Sequence, residues 1–149
     1  MIRKTKLSDS YFLIKVHRES VRVIAKNHYS KAAIRGWTSK KPYNFKKFVR
    51  ASNSYVYEKD KKILGFVNFS KNKIWGLYIH PSVKGKGIGK RLLTFALNKI
   101  KGYKQIELES SLVAVEFYKS QGFKIIETRK IKLGGVETEA FFMKKDLLH

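Results

Sequence analysis

Residues 74–101 place an apolar segment, a glycine-rich turn and an amphipathic segment in immediate succession. The apolar run Ile74–Ile79 predicts a buried strand, Lys84–Gly89 predicts a turn, and the residues from about Lys86 to Lys101 predict a helix. Apolar residues at positions 88, 92, 96 and 100 give that helix one stripe that faces the core. We therefore expect the rest of the chain to fold around this strand, turn and helix.

The predicted turn has the composition of an anion-binding site. Glycines at positions 85, 87 and 89 leave the backbone open to a ligand. The first amides of the following helix have no partner within it, and the helix dipole places partial positive charge at the same end. The neighbouring basic side chains are Lys84, Lys86, Lys90 and Arg91. This turn therefore predicts a site for a phosphate-bearing ligand.

Two other phosphate-binding turns fit the spacing less well. A P-loop needs Ser or Thr after its Gly-Lys pair, whereas Gly89-Lys90 is followed by Arg91. A Rossmann turn would have its third glycine at Lys90 or Leu92. Its acidic residue falls near Glu107 and Glu109, so spacing alone leaves this possibility open. A basic loop that binds no ligand is the remaining alternative.

Two segments together resemble the GNAT superfamily of N-acetyltransferases. The segment VKGKGIGKRLL is similar to the acetyl-CoA motif Arg/Gln-x-x-Gly-x-Gly/Ala, with Lys84 at its first position. The segment SSLVAVEFYKSQGF is similar to the second signature, Asn-x-x-Ala-x-x-Phe-Tyr-x-x-x-Gly-Phe, with Ser111 in place of the Asn. The resemblance covers roughly residues 55–125, and the first fifty residues share it only in outline.

The resemblance implies a single GNAT-like domain over residues 1–149, of mixed α/β class. It implies antiparallel N-terminal strands, a central splayed pair of parallel strands and a C-terminal hairpin. Strands are further predicted at 2–6, Ser54–Glu58, Ile63–Ser70, Gln105–Glu109, Phe123–Leu133 and Val136–Met143. Helices are predicted at Tyr11–Lys26, from Ser30 to about Gly36, at Phe45–Ala51 and at about Leu112–Gln121. We expect Ser8–Asp9, Ser30 and Ser110 or Ser111 to cap helices.

The resemblance also implies the cofactor, acetyl-CoA, and the residues that bind it. Main-chain groups near Tyr78 and Ile79 would hold the pantetheine and polarise the thioester carbonyl. Ser111 would contact the pantetheine or only cap a helix, and the cap is the preferred interpretation. The residues implied for the pyrophosphate are Lys84, Gly85, Lys86, Gly87, Ile88, Gly89 and Lys90. No metal is expected, because amides and lysines already balance the phosphates.

The motif assigns the general acid to Tyr118, which would protonate the departing CoA thiolate. The alternative is that this residue is only a core aromatic. The base is less defined, because some relatives have a glutamate where this chain has Ile106. Glu107 and Glu109 are weak base candidates, His80 is a candidate relay, and a water molecule held by carbonyls is equally acceptable. The chain has no cysteine, which favours direct attack by the amine in a ternary complex.

The acceptor is expected to be the primary amine of a small molecule or peptide, with His28, Tyr29, Trp37 and His80 as candidate contacts. The formal net charge of +22 leaves an alternative open, a non-catalytic module that binds nucleic acid or the ribosome through a basic surface. No specific nucleic-acid motif supports that alternative. The sequence has no apolar run long enough for a membrane span, so we expect a cytoplasmic protein. Separately, we expect a monomer or a homodimer.

Overall fold

The computed structural model describes residues 1–39 and 41–147. The strands are β1 Ile2–Lys4, β2 Asn53–Lys59, β3 Lys62–Ser70, β4 Lys73–Ile79, β5 Gln105–Ser110, β6 Lys124–Leu133 and β7 Val136–Asp146. The helices are α1 Ser10–Ile24, α2 Lys31–Trp37, α3 Pro42–Ala51, α4 Ile88–Lys99 and α5 Val115–Ser120. Short 3-10 turns lie at Leu7–Asp9 and Pro81–Val83. The expected domain of residues 1–149 includes Lys40, Leu148 and His149, which lie outside the described residues.

The strands form one mixed sheet in the order β1-β2-β3-β4-β5-β7-β6. β1, β2, β3 and β4 run antiparallel to one another in succession, β4 and β5 are parallel, and β6 and β7 form the C-terminal hairpin. The parallel pair needs a crossover, which α4 supplies. The predicted fold class, with antiparallel N-terminal strands, a central parallel pair and a terminal hairpin, is confirmed.

The parallel pair is splayed. β4 and β5 are paired only where Lys73 faces Glu107 and Ile74 faces Leu108. Residues 75–79 of β4 and 109–110 of β5 continue without pairing to each other, so the two strands separate toward their carboxyl ends. The backbone of this stretch of β4 is therefore open toward β5, while its other edge stays paired to β3.

A β-bulge in β4 lies where the strands begin to separate. Asn68 of β3 faces Gly76, whereas its neighbour Phe69 faces Ile74, so Trp75 is an extra residue in β4. A bulge bends its strand and breaks the strict alternation of side chains. Ile74 and Leu77 consequently pack into the same core cluster although they are three positions apart.

Two hydrophobic clusters lie on opposite faces of the sheet. One packs α4 and α5 against β3, β4, β5 and β7, and its members include Leu92, Ile106 and Met143. The other packs α1 and α3 against β2 and β3, through residues such as Leu13, Phe45 and Phe66. The predicted stripe of α4 is confirmed, because Ile88, Leu92 and Ala96 of the helix and its C-cap residue Ile100 are all buried. We expect Leu92→Ala to cost about 3 kcal/mol of stability.

Several predicted helix starts are wrong. α4 begins at Ile88 rather than Lys86, because Gly87 at its N-cap is in the left-handed conformation, with φ 79°. α5 begins at Val115 rather than Leu112, so neither Ser110 nor Ser111 caps it. Ser30 does cap α2, since its hydroxyl accepts a hydrogen bond from the Ala33 amide. Of the helices in residues 1–39 and 41–147, none has both the length and the apolar character needed to cross a membrane.

The sequence predicts a helix cap at Ser8–Asp9, but Asp9 does not cap α1 through its side chain. Its carboxylate accepts hydrogen bonds from the Arg3 guanidinium at 2.8 Å and from the Lys6 amide at 2.7 Å. Arg3 also donates to Glu58 at 3.0 Å, so the cluster ties β1 to β2 and to the start of α1. Burial alone would raise the pKa of Asp9, but these hydrogen bonds outweigh it and hold the pKa below its ordinary value.

Candidate active site

A cavity of about 650 Å³ occupies the gap between β4 and β5. The glycine-rich turn lies at one end of it, and Tyr29, Trp37 and the β6–β7 hairpin line the other. It brings together most of the predicted site residues: Tyr29, Trp37, Tyr78, Ile79, Lys84, Gly85, Gly87, Ile88, Gly89, Lys90, Glu109, Ser111 and Tyr118. Four predicted residues do not line it: His28, His80, Lys86 and Glu107.

The glycine-rich turn has the geometry of an anion site. Gly85 and Gly87 have φ of 80° and 79°, and no other group approaches within 4 Å of the position that a Cβ would occupy at either residue. The ladder of α4 starts with the hydrogen bond from the Arg91 amide to the Gly87 carbonyl, at 3.1 Å. The amides of residues 88–90 precede that ladder and point out of the helix end. Glycine is therefore required by conformation at 85 and 87, on a surface open to a ligand.

Gly89 differs from the other two glycines of the motif. It lies within α4, and a Cβ there would be 3.5 Å from the Phe117 ring and 3.6 Å from Ile79. These are ordinary van der Waals distances, so a methyl group fits. Larger groups would meet both side chains at the wall of the cavity.

Tyr118 both packs in the core and lines the cavity. Its ring contacts Phe117 and Phe123 edge-on, with centroids 5.3 and 5.7 Å away, and the residue is 7% exposed. Burial raises the pKa of its phenol, and the nearby Tyr78 raises it further. The phenol is therefore protonated at neutral pH, as a proton donor must be.

Three aromatic residues bridge the two sides of the gap. The Tyr29 hydroxyl accepts a hydrogen bond from the Leu112 amide at 2.9 Å, on the β5 side. The Trp37 indole N–H donates to the Tyr78 hydroxyl at 3.4 Å, on the β4 side. The Tyr29 and Trp37 rings contact each other edge-on at 5.4 Å. Burial raises the pKa of Tyr78, and the Trp37 hydrogen bond only partly offsets this.

Of the two candidate carboxylates on β5, Glu107 and Glu109, only Glu109 lies at the cavity. Glu109 lines the cavity, with a carboxylate oxygen 3.8 Å from Nη1 of Arg129. Glu107 faces Lys73 and Lys144 in the two ladders of β5 and lies outside the cavity. Glu139 of β7 lines the cavity and was not predicted from the sequence. Strand alternation identifies such a residue as lying on one face of the hairpin, but not which face closes over the gap.

The two histidine candidates have other contacts. The His80 ring lies between the Glu19 carboxylate, which contacts Nε2, and Ser82, whose amide donates to Nδ1. Since Nδ1 accepts a hydrogen bond from an amide, the ring proton is on Nε2, and this N–H donates a hydrogen bond to the Glu19 carboxylate. His80 therefore holds the end of β4 to α1. His28 is exposed in the loop between α1 and α2, and its amide donates to the Ala25 carbonyl.

Ser111 lines the cavity beside α5 instead of starting that helix. Its carbonyl accepts hydrogen bonds from the Ser110 hydroxyl and from the Ala114 amide. The preferred interpretation of this residue as a helix cap is therefore wrong. Its position leaves the alternative interpretation, a contact with the ligand in the gap.

Comparisons with known proteins agree with this geometry. The family model of the acetyltransferase (GNAT) domain matches residues 25–146. The peptidyl-lysine N-acetyltransferase YiaC of Escherichia coli is 26% identical over 81 residues, which are 54% of this chain and 56% of that protein. YjaB of Salmonella typhimurium, another peptidyl-lysine N-acetyltransferase, is 37% identical over 70 residues, 47% of this chain and 48% of that one. The chain thus spans about half the length of these curated relatives.

Among solved structures, PaiA N-acetyltransferase from Thermoplasma acidophilum, in complex with coenzyme A, is 27% identical with a TM-score of 0.81. That match covers 99% of this chain and 98% of the other. The fold, the cavity in the splayed strand pair and the family match over residues 25–146 lead to one assignment. The chain belongs to the GNAT acetyltransferase family.

Proposed function

We propose that this protein transfers the acetyl group of acetyl-CoA to a primary amine, by direct attack in a ternary complex. The observation that carries the proposal is the open stretch of β4 beyond Ile74, which leads directly into a turn of outward-pointing amides. This combination offers hydrogen bonds to an extended amide chain and then to an anion. Pantetheine followed by pyrophosphate has that order of groups.

The two ends of acetyl-CoA would be held by different parts of the backbone. Main-chain groups near Tyr78 and Ile79 pair with the pantetheine and polarise the thioester carbonyl. The amides of residues 88–90 and the positive end of α4 bind the pyrophosphate. Lys84 and Lys90, both exposed at the cavity, add charge. The coenzyme A complex of PaiA, at 27% identity, supports this cofactor.

Acetyl transfer requires two proton movements. The neutral amine attacks the thioester carbon, a C–N bond forms, the C–S bond breaks, and the nitrogen loses a proton. Tyr118 donates its phenolic proton to the departing sulfur, and the proton that the nitrogen loses restores the Tyr118 phenol through water. Burial raises the pKa of this phenol and so opposes the transfer, but burial also destabilises the departing thiolate, which favours its protonation.

The amine must reach its neutral form before it attacks. At pH 7 this costs about 4.6 kcal/mol for a lysine-like amine of pKa about 10.4. We propose that Glu109, directly or through a water molecule, accepts this proton, because of the two β5 carboxylates it is the one that lines the cavity. Glu107, outside the cavity, is not proposed as the base.

The proposed acceptor is the side-chain amine of a peptide lysine or a small primary amine. Two relatives named as peptidyl-lysine N-acetyltransferases support the peptide. Glu109 and Glu139 line the cavity between β4 and β5 and would attract an ammonium group there, although the protein as a whole has a net charge of +22.

The test combines calorimetry with acetyl-CoA and a thiol-release assay over lysine peptides and small amines. We expect saturable binding of acetyl-CoA, and release of CoA thiol that depends on the amine. Calorimetry that stays flat, together with RNA binding that weakens steeply with salt, would replace the enzyme with a basic binding module.

A further inference from the structure

A half-exposed tryptophan lies beside a lysine at the closed end of the gap between β4 and β5. Trp75 is 51% exposed and, like Lys73, lines the cavity in that gap. The Lys73 ammonium nitrogen lies 4.0 Å from the centre of the Trp75 ring, and the indole N–H donates to the Ser70 hydroxyl at 2.7 Å. The ring and the ammonium group therefore hold each other in place at the wall of the cavity.

Lys73 and Glu109, the proposed base, lie on the same face of the sheet. Lys73 is directly opposite Glu107 in the parallel ladder, and residues two positions apart on a strand share a face. The intervening residues Ile74 and Leu108 belong to the core on the α4 side, so Lys73 and Glu109 lie on the other side. The phosphate end of the cavity is at the start of α4. Cofactor and acceptor would therefore enter the gap from opposite faces, and Lys73 is on the face of the acceptor.

Positive charge exceeds negative charge beside Lys73. A row of opposing residues crosses the sheet here, Lys73, Glu107, Lys144 and Lys124, with three lysines to one carboxylate. Within residues 1–39 and 41–147, Lys73 forms no ion pair, and Glu107, between two lysines, cannot neutralise both. Glu109 is one strand spacing and two residues away from Lys73, which is about 8 Å between Cα atoms. The acceptor face therefore offers a cation and a carboxylate at a defined separation.

We propose that Lys73 binds an acidic side chain of a peptide acceptor, two residues away from the lysine that is acetylated, with the Trp75 ring packed against the chain between them. In an extended peptide, side chains two positions apart lie on one side, about 7 Å from each other. The acceptor ammonium then reaches Glu109 while the acidic group reaches Lys73. An acidic residue directly next to the acceptor lysine points to the other side. This substrate class rests on the proposed function.

Two pairs of peptides with blocked ends test the position of the acidic residue. Glu-Ala-Lys-Ala-Glu has a glutamate two residues away on either side, so its direction of binding does not matter, and Gln-Ala-Lys-Ala-Gln is its uncharged counterpart. We expect kcat/KM to be about five- to tenfold higher for the first peptide at low salt.

The second pair, Ala-Glu-Lys-Glu-Ala and Ala-Gln-Lys-Gln-Ala, differs by the same charge at the adjacent positions. Long-range attraction to a protein of net charge +22 is therefore the same in both pairs. We expect the second pair to differ by no more than about twofold. An equal effect of glutamate in the two pairs would overturn the proposal.

Substitutions of two lysines assign the preference to one side chain. Lys73→Met removes the ammonium group and keeps an unbranched side chain, so the preference of the first peptide pair should fall to that of the second. Lys71→Met is the matched control, because it loses the same charge in the turn before β4, outside the cavity, and should keep the full preference. Lys73→Glu should reverse the preference in favour of the glutamine peptide. An unchanged preference in Lys73→Met would show that Lys73 does not bind the acidic group.

Binding measured without acetyl-CoA separates this inference from the proposed function. Calorimetry of the unmodified protein should show Glu-Ala-Lys-Ala-Glu binding about five- to tenfold more tightly than its glutamine counterpart. The chain has two tryptophans, so in Trp37→Phe the indole emission reports on Trp75 alone, and the peptide should change it in a saturable manner.

The two proposals fail in different ways. Preferential binding of the glutamate peptide by a protein that releases no CoA thiol would overturn the proposed function and keep the Lys73 site. Thiol release with equal kcat/KM for the two peptides of the first pair would overturn the Lys73 site and keep the function. Equal affinities in calorimetry would also overturn the site.

Discussion

The two ends of the gap between β4 and β5 are built from different parts of the chain. The phosphate end, residues 84–90, is one short continuous segment whose proposed contacts are mostly backbone amides. The acceptor end, defined by Tyr29, Trp37 and Tyr78, is built from side chains of β4, α2 and the loop after α1. One end is therefore a local structure and the other a tertiary one.

Because of this difference, substitutions should affect the ligand of each end differently. A backbone site tolerates most substitutions outside its glycines, so its ligand stays the same while the surrounding residues vary. In a site built from packed side chains, by contrast, a substitution changes the shape and polarity that the ligand meets. We therefore expect the cofactor to be common among related chains and the acceptor to be specific to this one.

The largest expected effect is at Tyr118, the proposed general acid, which lines the cavity. Tyr118→Phe should lower kcat by about 100- to 1000-fold, because the leaving thiolate loses its proton donor. The KM values for acetyl-CoA and the amine should change little. Since burial raises the pKa of this phenol, it stays protonated as pH rises, and its ionisation should cause no loss of kcat below about pH 10. Steady-state kinetics checks both statements, with Tyr57→Phe as the control outside the cavity. Unchanged turnover would show that Tyr118 is not the general acid.

The second effect isolates the phosphate end. Gly87→Ala should weaken acetyl-CoA binding by about 10- to 100-fold, because a side chain strains the turn and misaligns amides that bind a charged group. Gly102→Ala is the matched control, since Gly102 also has a positive φ, 83°, with no group within 4 Å of a Cβ, and lies outside the cavity. Both variants should lose about 1 to 2 kcal/mol of stability. Calorimetry showing equal loss of binding in both would mean that the turn does not contact the cofactor.

The third effect isolates the acceptor end. A Cβ at Gly36 of α2 would lie 2.0 Å from the backbone nitrogen of Gly134, so Gly36→Ala must displace α2 and with it Trp37. We expect a loss of about 3 kcal/mol in stability and a several-fold rise in the acceptor KM, with acetyl-CoA affinity unchanged. Gly135→Ala is the control in the adjoining hairpin: its positive φ of 77° should cost about 1 to 2 kcal/mol, but no group lies within 4 Å of a Cβ there, so α2 should not move. Thermal unfolding and kinetics report the two quantities. A parallel loss of acetyl-CoA affinity would show that the two ends are coupled.

The smallest effect lies outside both ends. Arg3→Met removes the hydrogen bonds that hold the pKa values of Asp9 and Glu58 low. Such carboxylates stabilise the fold above their unfolded pKa values of about 4, and this contribution is lost as pH falls through the lower folded values. The variant should therefore unfold at a higher pH than the unmodified protein in an acid titration followed by circular dichroism. Kinetics at pH 7 should not change.

The sequence predicts the strands, the mixed sheet and the phosphate end, because each follows from local periodicity or from a continuous motif. It misplaces the starts of α4 and α5 for local reasons that only the backbone shows. Gly87 adopts a positive φ, and Ser111 lies in a turn before the helix. The single-domain extent, the cytoplasmic location and the oligomeric state stay predictions.

The acceptor end could be predicted only in part. Tyr29 and Trp37 are correctly placed at the cavity, but His28 and His80 are not, because neighbours in sequence need not face the same space. Glu139 of β7, which lines the cavity, was missed.

The extra residue in β4 makes the opening between the strands depend on chain length. If residue 75 were deleted, Ile74 and Gly76 would still face Phe69 and Asn68, so every core side chain would keep its side. The strand would, however, lose its bend and could run straight beside β5. Substitutions can thus alter the chemistry of this enzyme family's cleft, whereas a one-residue deletion here could close it while leaving a well-packed protein.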